Sequence, residues 1–436
     1  MNTIVEMPET NRVGWTESEI FSKPGLLHRY LHVRGFSRKI CETLEPEDCV
    51  IQSMPEASPT KWHLAHTSWF FEQFVLKQFY PDYQPLHPQY GFLFNSYYNA
   101  VGPFYSRPHR GLLSRPTVKE VFHYRADIDL LVSELIESAD EPLLAKLEPI
   151  ITLGLHHEQQ HQELMLTDIK SVFWLNPLRP AFRTRDRTQP EPVPAAQWIP
   201  FEEGVYQVGH QGPGFSYDNE GPRHRVFIQQ FELASRLVTN AEFLAFMEDG
   251  GYRRSELWLS LGWNTLRERG WDAPLYWERR DGKWHTMTLA GMGEVVPEEP
   301  VCHVSLFEAD AFARWSGARL PIEEELEIAS AGLALKGNFV ESEIFHVAPL
   351  ASAATPAQMF GDVWEWTRSS YSPYPGYSTV AGALGEYNGK FMCNQYVLRG
   401  GSCATSQSHM RRTYRNFFPP DARWQFNGIR LAKDIV

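Results

Sequence analysis

The sequence predicts an α+β multidomain protein, in which an N-terminal four-helix bundle precedes a mixed domain of short strands and helices. Three observations predict this class: the length of 436 residues, helical spacing of apolar residues in the first part, and short strand-like runs between loops in the rest. A chain of this length can build two hydrophobic cores. We expect the bundle over residues 1–184, a linker over 185–197 and the mixed domain over 198–436.

The bundle helices are predicted from four stretches of helical periodicity, at about residues 25–44, 59–80, 117–138 and 143–175. Ser58 and Pro59 are typical of a helix start, with the serine as cap and the proline in the first turn. The segment from Tyr80 to Pro116 is predicted to be a long loop, and its many aromatic residues favour an ordered conformation.

The linker, RDRTQPEPVPAAQ, is rich in proline, which predicts a semi-rigid connection without a helix. Beyond it, strands are predicted from the runs VYQVG, HRVFIQQFEL, YVLRGG and GIRLAK. Short helices are predicted from NAEFLAFMED, LFEADAFARWSG and IEEELEIASAG.

Charge and hydropathy limit the classes of partner. A formal net charge of -12 without a dense basic run argues against nucleic acid. No apolar run approaches the roughly 18 residues of a membrane span, and the first residues do not resemble a secretion signal. We therefore expect a soluble, cytoplasmic protein with no membrane partner, of unknown oligomeric state. Its five cysteines lack zinc-like CxxC spacing and are expected to be buried free thiols.

The run HHEQQHQELMLTDIK, residues 156–170, is the first candidate for a metal site. On a helix, His157 and His161 lie about 40° apart and can bind one ion from the same face. Glu163 projects about 120° and 160° from these two histidines, so it should not reach that ion. Asp168 lies within about 20° of both directions two turns further on, where it can hydrogen-bond an imidazole through a partner or water.

A third ligand must come from another helix, and the run KWHLAHTSWFFEQF offers His63 and His66, three residues apart. The pattern does not decide between them, and a lone histidine in a bundle is more often an ordinary core residue. Three neutral imidazoles without a carboxylate would leave a divalent ion its full charge and open positions. Such a site favours an anionic ligand such as a thiolate.

Two sets of segments carry a family resemblance. SPTKWHLAHTSWFFE and HHEQQHQELMLTD resemble the DinB-like bundle of the EgtB family, the sulfoxide synthases of ergothioneine biosynthesis. The second half resembles the formylglycine-generating-enzyme or sulfatase-modifying-factor domain, a C-type-lectin-like fold. The matching segments are, in order, LVTNAEFLAF, PVCHVSLFEADAFARWSGARLPIEEELEIA, GDVWEWT, VLRGGSC and NGIRLA. The second fold alone hosts several functions, whereas its combination with the bundle is specific.

The resemblance implies a non-haem Fe(II) enzyme that uses O2 as co-substrate. Such enzymes join a cysteine-type thiol to the imidazole C2 of N-alpha-trimethylhistidine (hercynine) and give a sulfoxide. The implied iron ligands are His66, His157 and His161, with His63 as the alternative third ligand. Gln160, one residue before a ligand, would contact the imidazole of the substrate.

The thiol donor is predicted from two short motifs. In the branch of the family that uses gamma-glutamylcysteine, an RxxR pair binds the thiol substrate, and Arg107 and Arg110 have this spacing. That branch also has an Asn-Trp-Asp run whose acid suits the glutamyl amine. Here the run reads Asn416-Phe417-Phe418, so the acid is missing. We therefore expect free cysteine, the donor of another branch, rather than gamma-glutamylcysteine.

Hercynine is expected to be held at its two charged ends. Its trimethylammonium group gains most from aromatic faces, and Phe417, Phe418 and Trp424 lie close to Asn416 in the sequence. Its carboxylate would be bound by amide hydrogen bonds, for which Asn416 is the candidate.

A proton-donating tyrosine is also implied by the resemblance. We assign this role to Tyr97 and Tyr98 in the run FNSYYNAVG, because this loop follows the metal helix and a tyrosine can act as a general acid. Tyr371, Tyr374 and Tyr377, which follow the GDVWEWT motif, are the alternatives.

Other functions that we considered explain fewer of these sequence features. A zinc-dependent thiol transferase of the DinB type would use the same three histidines without O2. Formylglycine generation would leave the histidines without a purpose, and a carbohydrate- or partner-binding module would also leave the RxxR pair unexplained.

Overall fold

The computed structural model describes residues 22–185, 192–350, 356–379 and 382–435. It combines helices with sheets, which confirms the mixed class, while the DinB-like bundle stays a prediction. The predicted linker lies partly outside the described residues, because positions 186–191 are not among them. The first strand begins at Trp198, and the boundaries at 184 and 198 stay a proposal.

Four long helices occupy the first half and lie close to the predicted stretches. The two at residues 23–40 and 60–71 each pack against both of the others, at residues 118–138 and 141–175. None of the helices in the described ranges combines the length and apolar character that crossing a membrane requires. The bounds are α1 (Lys23–Ile40), α2 (Thr60–Phe71), α3 (Val118–Ser138) and α4 (Glu141–Leu175), and α2 continues as a π-helical turn (Glu72–Leu76) and a short helix (Lys77–Phe79).

The predicted serine cap of α2 is wrong. Pro59 stands at the cap position, and no side chain caps the helix. The Ser58 hydroxyl instead accepts a hydrogen bond from Arg110 Nη1 at 2.9 Å, and its backbone N–H donates to Asp168 at 2.9 Å. Long-range partners have therefore replaced the local capping interaction.

The long loop between α2 and α3 is anchored to the helices. Tyr90 and Phe94 are buried, and Trp62 Nε1 of α2 donates to the Leu93 carbonyl at 3.0 Å. The hydroxyl of Tyr83 donates to the carboxylate of Glu72 at 2.7 Å. These contacts agree with the ordered loop that its aromatic content predicts.

The second half contains small sheets and short helices. The strands are β1 (Trp198–Phe201), β2 (Gly204–Val208), β3 (His224–Ile228), β4 (Phe231–Ala234), β5 (Trp277–Arg280), β6 (Lys283–Thr288), β7 (Gly291–Glu294), β8 (Trp364–Ser370), β9 (Tyr396–Arg399), β10 (Asn416–Phe418), β11 (Asn427–Gly428) and β12 (Ala432–Asp434). They form sheets with the strand orders β1-β4-β12, β10-β9-β8-β11, β2-β3 and β5-β6-β7, and every pairing is antiparallel except β8 with β11. The helices are α5 (Asn240–Glu248), α6 (Ser260–Arg269), α7 (Leu306–Trp315) and α8 (Glu323–Ala329).

The core of the helical half continues into the second half. Leu166 and Phe173 of α4 belong to the same buried apolar cluster as Tyr276, Phe345 and Phe426. A second cluster lies within the mixed domain. All five cysteines are free thiols as predicted, but Cys393 is exposed rather than buried.

A glycine brings α2 and α4 together just before the first histidine of α4. A Cβ atom on Gly154 would lie 2.7 Å from the ring of Phe71 and 2.8 Å from that of Phe70. Both rings are buried and cannot move aside without disturbing the core. The separation of the two helices at this point therefore requires a residue without a side chain.

A buried ion network links α1, α3 and α4. Glu158 of α4 accepts from Arg34 Nη1 at 2.9 Å, from Arg125 Nη2 and from the Ser37 hydroxyl at 2.5 Å. Arg34 also pairs with Asp129 at 2.5 Å. Burial alone would raise the pKa of Glu158, but Arg125 and Arg34 outweigh it and hold the pKa below its ordinary value. The carboxylate is therefore charged and fixes the side of α4 that faces these helices.

We expect Glu158→Gln to lower the free energy of unfolding by about 3–5 kcal/mol, because it leaves the buried guanidinium of Arg125 without a charge partner and leaves Arg34 with Asp129 alone. Urea unfolding followed by circular dichroism measures this loss. The matched control is Asp310→Asn, which breaks a surface pair with Arg314 on α7 and should cost about 0.3–0.5 kcal/mol. Equal losses in the two variants would contradict a stabilising role for the network.

Candidate metal centre

Three histidines from two helices converge at one point. His66 comes from α2, and His157 and His161 come from α4, one turn apart. The atoms with which they can bind a metal all lie within 4.8 Å of one another. The structure thus brings together the three residues that the resemblance implies as ligands.

The tautomer of His66 is fixed by a backbone carbonyl. Its Nδ1 lies 2.6 Å from the Phe94 oxygen, and because a carbonyl can only accept, Nδ1 carries the proton. The lone pair of Nε2 then faces His157 Nε2 at 3.1 Å. Two nitrogens at this separation can both bind one ion at the usual distance of about 2.1 Å.

The tautomer of His161 is fixed through His63 and Asp168. The Asp168 carboxylate lies 3.0 Å from His63 Nε2, so this nitrogen donates and His63 Nδ1 keeps its lone pair. His63 Nδ1 lies 2.8 Å from His161 Nδ1, which must therefore donate to it. His161 is left with Nε2 as its ligand atom. Asp168 thus acts on a metal-site imidazole through a partner, as its helical position predicts, and His63 uses both its nitrogens elsewhere.

All three histidines are held in the neutral form. Burial lowers the pKa of His157 to about 4. The pKa of His66 and of His161 is lowered well below the ordinary value, mainly by burial and secondly by the neighbouring His157. Since a metal ion binds neutral imidazole, and since Phe94 and Asp168 force lone pairs towards the centre of the site, this donor set suits a cation.

Glu163 points away from the site, as its helical position predicts. Its carboxylate accepts from Trp364 Nε1 at 2.8 Å, from the Ser402 hydroxyl at 2.6 Å and from the Thr405 hydroxyl at 2.8 Å. All three donors belong to the mixed domain. Burial raises the pKa of Glu163, and the residue connects the metal helix with the second half.

Arg110 is a buried cation close to the histidines. Its guanidinium lies 3.3 Å from the ring centre of Trp62, and Trp62 stacks on His66 at 4.7 Å. Its amino groups donate to Ser58 at 2.9 Å and Ser96 at 3.0 Å. Burial lowers the pKa of Arg110 to about 9. Within the described ranges no carboxylate pairs with Arg110, and its Nε has no hydrogen-bond partner. The site therefore has an unneutralised cation suited to an anion.

Arg107, the other arginine of the RxxR pair, does not contact the same residues as Arg110. Arg107 Nη1 donates to the Tyr97 hydroxyl at 2.9 Å, and Nη2 donates to the Glu56 carbonyl. Tyr97 itself lies against Tyr387 at 6.2 Å and Phe391 at 5.1 Å, both from the second half. Arg107 and Tyr97 therefore lie where the two halves meet.

The side chain of Tyr98, unlike that of Tyr97, lies in the core of the helical half. Its ring contacts Trp69 at 5.5 Å and Phe74 at 5.3 Å. Trp69 in turn stacks on His66 at 5.5 Å, so Tyr98 lies one ring behind the metal site. The two predicted tyrosines consequently occupy different surroundings, and their catalytic role stays a proposal.

The three alternative tyrosines are engaged within the mixed domain. The Tyr371 hydroxyl accepts from Asn219 at 2.8 Å, and the Tyr374 hydroxyl donates to Glu323 at 3.0 Å. The Tyr377 hydroxyl donates to Asp218 at 3.1 Å.

The residues predicted to bind the end groups of hercynine lie on or near strand β10, but their side chains contact different parts of the mixed domain. Phe417 stacks on Tyr371 at 4.1 Å and contacts Phe391 at 5.9 Å, in the same aromatic group as Tyr97. Phe418 instead contacts Trp424 at 6.2 Å. Neighbouring side chains of a strand point to opposite faces, so the three rings do not form one wall. Asn416 Oδ1 accepts from the Phe417 N–H at 2.9 Å.

The structure also identifies functional candidates that the sequence pattern does not show. Gln160 Nε2 donates to the hydroxyl of Tyr414 at 2.7 Å. Tyr414 contacts His409 at 3.1 Å. Both belong to an irregular segment of the mixed domain, and no periodicity relates them to α4.

Known proteins match this chain over most of its length. The family profile described as the sulfatase-modifying factor enzyme 1-like domain matches residues 184–355 and 350–435. A hercynine oxygenase of Mycolicibacterium thermoresistibile is 32% identical over 410 residues, which cover 87% of this chain and 88% of that protein. A hercynine oxygenase of Mycobacterium tuberculosis is 33% identical over 409 residues, which cover 87% of this chain and 92% of that protein. The chain belongs to the EgtB family.

More distant similarities cover a little over half of this EgtB-family chain. The formylglycine-generating enzyme of Bos taurus is 25% identical over 294 residues, 56% of this chain and 76% of that protein. The solved structure of PvdO from Pseudomonas aeruginosa aligns with a TM-score of 0.39 and 20% identity, over 55% of this chain and 94% of that chain.

Alanine in place of His66, His157 or His161 should abolish retention of a divalent metal, because each supplies one of three ligand nitrogens. His63→Ala should retain the metal with affinity lowered about 10–100-fold, because it removes only the partner of His161. Anaerobic titration with Fe(II), followed by metal analysis after gel filtration, measures both effects. Loss of metal from His63→Ala and its retention by His66→Ala would identify His63 as the third ligand.

Proposed function

We propose that this protein is a hercynylcysteine sulfoxide synthase, an Fe(II)- and O2-dependent enzyme that joins cysteine to hercynine. The observation that carries the proposal is a cluster of three neutral histidines in a chain similar over 87% of its length to proteins named hercynine oxygenase. The coarser conclusion is an oxygenase that acts on hercynine. Iron as the metal and cysteine as the thiol are the finer part of the proposal.

His66, His157 and His161 would hold the Fe(II) ion through one nitrogen each. The absence of a carboxylate ligand leaves the ion its charge and open positions, which suits binding of a thiolate. Bound Fe(II) would supply the activation of O2. The chain itself keeps the three imidazoles neutral, fixes their tautomers through Phe94 and Asp168, and covers the site with Trp62 and Trp69.

The proposed overall reaction balances without a further reductant. The imidazole C2 of hercynine loses its hydrogen and the thiol of cysteine loses its own, and a carbon–sulfur bond forms between them. One oxygen atom of O2 becomes the sulfoxide oxygen, and the other leaves as water with the two hydrogens. The four electrons that reduce O2 come from forming the carbon–sulfur bond and from oxidising sulfur.

The surroundings of Arg110 support a carboxylate-bearing thiol. A buried guanidinium without an acid partner gains most from an incoming carboxylate, which cysteine has. The ammonium of a gamma-glutamyl group would need an acid instead, and Phe418 supplies none. The nearest acid in sequence, Asp421, pairs with Arg269 at 2.7 Å. These contacts favour cysteine over gamma-glutamylcysteine.

Hercynine is proposed to place its imidazole against Gln160 and its end groups near Asn416 and Phe417. The aromatic group of Tyr97, Tyr387, Phe391 and Phe417 offers faces for the trimethylammonium ion, at about 0.5–2 kcal/mol per good contact. Tyr97 and Tyr98 stay the proposed proton donors.

Oxygen uptake by protein reconstituted anaerobically with Fe(II) tests the function. We expect uptake only when hercynine and a thiol are both present, with a higher kcat/KM for cysteine than for gamma-glutamylcysteine, and a sulfoxide product by mass spectrometry. Thiol transfer with Zn(II) and without O2 would instead indicate a DinB-type transferase. A preference for gamma-glutamylcysteine would refute the choice of donor alone.

Arg110→Met should raise the KM for cysteine about 10–100-fold with little change in the KM for hercynine, because a hydrogen bond between charged groups contributes about 1.5–3 kcal/mol. Steady-state oxygen uptake with each substrate varied in turn measures the two constants. The matched control is Arg115→Met on the same loop, which is exposed and donates to the Ser114 carbonyl. A larger effect on hercynine than on cysteine would contradict the role of Arg110.

A further inference from the structure

We propose that Tyr414, held by His409, is a positioning residue that orients the amide of Gln160 so that its oxygen faces the substrate and accepts the ring N–H of an imidazole. The inference rests on the proposed function and deepens it. It specifies which feature of the substrate the site selects: a ring nitrogen that carries a proton and faces Gln160.

The observation is a chain of hydrogen bonds that crosses from α4 into the mixed domain. Gln160 Nε2 lies 2.7 Å from the Tyr414 hydroxyl. The same hydroxyl lies 3.1 Å from His409 Nε2, and His409 Nδ1 lies 3.0 Å from His156 Nδ1. Gln160 directly precedes His161, so the chain starts next to the metal centre.

The proton positions in this chain follow from the chemistry of its first member. An amide nitrogen can only donate, so the Tyr414 oxygen accepts from Gln160. The Tyr414 proton then goes to His409 Nε2, which must be unprotonated. Burial lowers the pKa of His409 well below its ordinary value, so the ring is neutral and carries its proton on Nδ1. That proton is donated to His156 Nδ1, and every bond of the chain runs in one direction.

The phenol at the centre of the chain has little freedom to move. Tyr414 and His409 are 4% and 1% exposed. The Tyr414 ring packs between Trp364 at 5.4 Å and Tyr217 at 5.8 Å. The Arg411 guanidinium lies 5.0 Å from the ring centre. The hydroxyl therefore presents a fixed acceptor to Gln160.

A fixed acceptor at this place determines which atom of Gln160 is left for the substrate. Once one N–H of Nε2 is bound to Tyr414, the oxygen Oε1 is the acceptor that this side chain still offers, and no group of the described residues donates to it. Gln160 is partly exposed, so the oxygen can be reached. An amide oxygen accepts from a ring N–H and repels a ring lone pair. If Gln160 were free to turn, its NH2 group could face the substrate and this selection would disappear.

The test compares two probes by calorimetry on the Fe(II)-loaded, oxygen-free protein. One is hercynine, and the other is its thiazole analogue, in which sulfur replaces the ring N–H at nearly the same shape. The native protein should bind hercynine at least tenfold more tightly than the analogue, because the analogue leaves the amide oxygen of Gln160 without a donor. In Tyr414→Phe this ratio should fall towards one, while Fe(II) affinity stays unchanged.

Three further variants separate positioning from a general structural effect. His409→Gln offers the tyrosine proton another acceptor and should keep most of the selectivity, whereas His409→Leu should lose it. Tyr206→Phe removes a hydroxyl that donates to the Glu202 carbonyl on the surface, and it should behave as the native protein. These His409 variants also decide the matter if Tyr414→Phe fails to fold.

The outcomes distinguish this inference from the proposed function. If the native protein does not bind hercynine, the proposed function fails and the inference fails with it. If hercynine binds but the ratio is the same in the native protein, Tyr414→Phe and His409→Leu, only the positioning role of Tyr414 is overturned.

Discussion

The rotation of α4 about its own axis is the constraint on which the rest of the molecule depends. Two buried carboxylates set it from different sides, about 140° apart on the helix. Glu158 is held by arginines of α1 and α3, and Glu163 is held by three donors of the mixed domain. With both engaged, His157 and His161 can only face α2, and Gln160 can only face Tyr414.

The same logic applies to protons at the metal centre. The site does not rely on charged ligands, but on acceptors that cannot change role. The Phe94 carbonyl and the Asp168 carboxylate can only accept hydrogen bonds, so the rings next to them have no choice of tautomer. Burial removes the remaining alternative, the imidazolium form. The donor set is therefore organised before any ion arrives.

The sequence pattern correctly predicted those features of the structure that short-range interactions along the chain determine. Apolar spacing located the long helices to within a few residues, and the interval of four residues placed His157 and His161 on one face. The choice between His63 and His66 needed the family resemblance, because both lie on the same stripe and only Asp168, a hundred residues away in sequence, distinguishes them. Arg110 as the partner of Ser58, and Tyr414 as the partner of Gln160, depend on long-range contacts that leave no period in the sequence.

The hydrogen bonds of Glu163 also limit which lectin-like domains could replace the second half of this chain. Lectin-like domains of this kind occur in proteins with other functions, such as the formylglycine-generating enzymes, so the domain itself is not restricted to one activity. In this chain, however, a replacement lacking the indole of Trp364 and the hydroxyls of Ser402 and Thr405 would bury an acid with no donors. A chimaera with such a domain would therefore need Glu163 replaced at the same time.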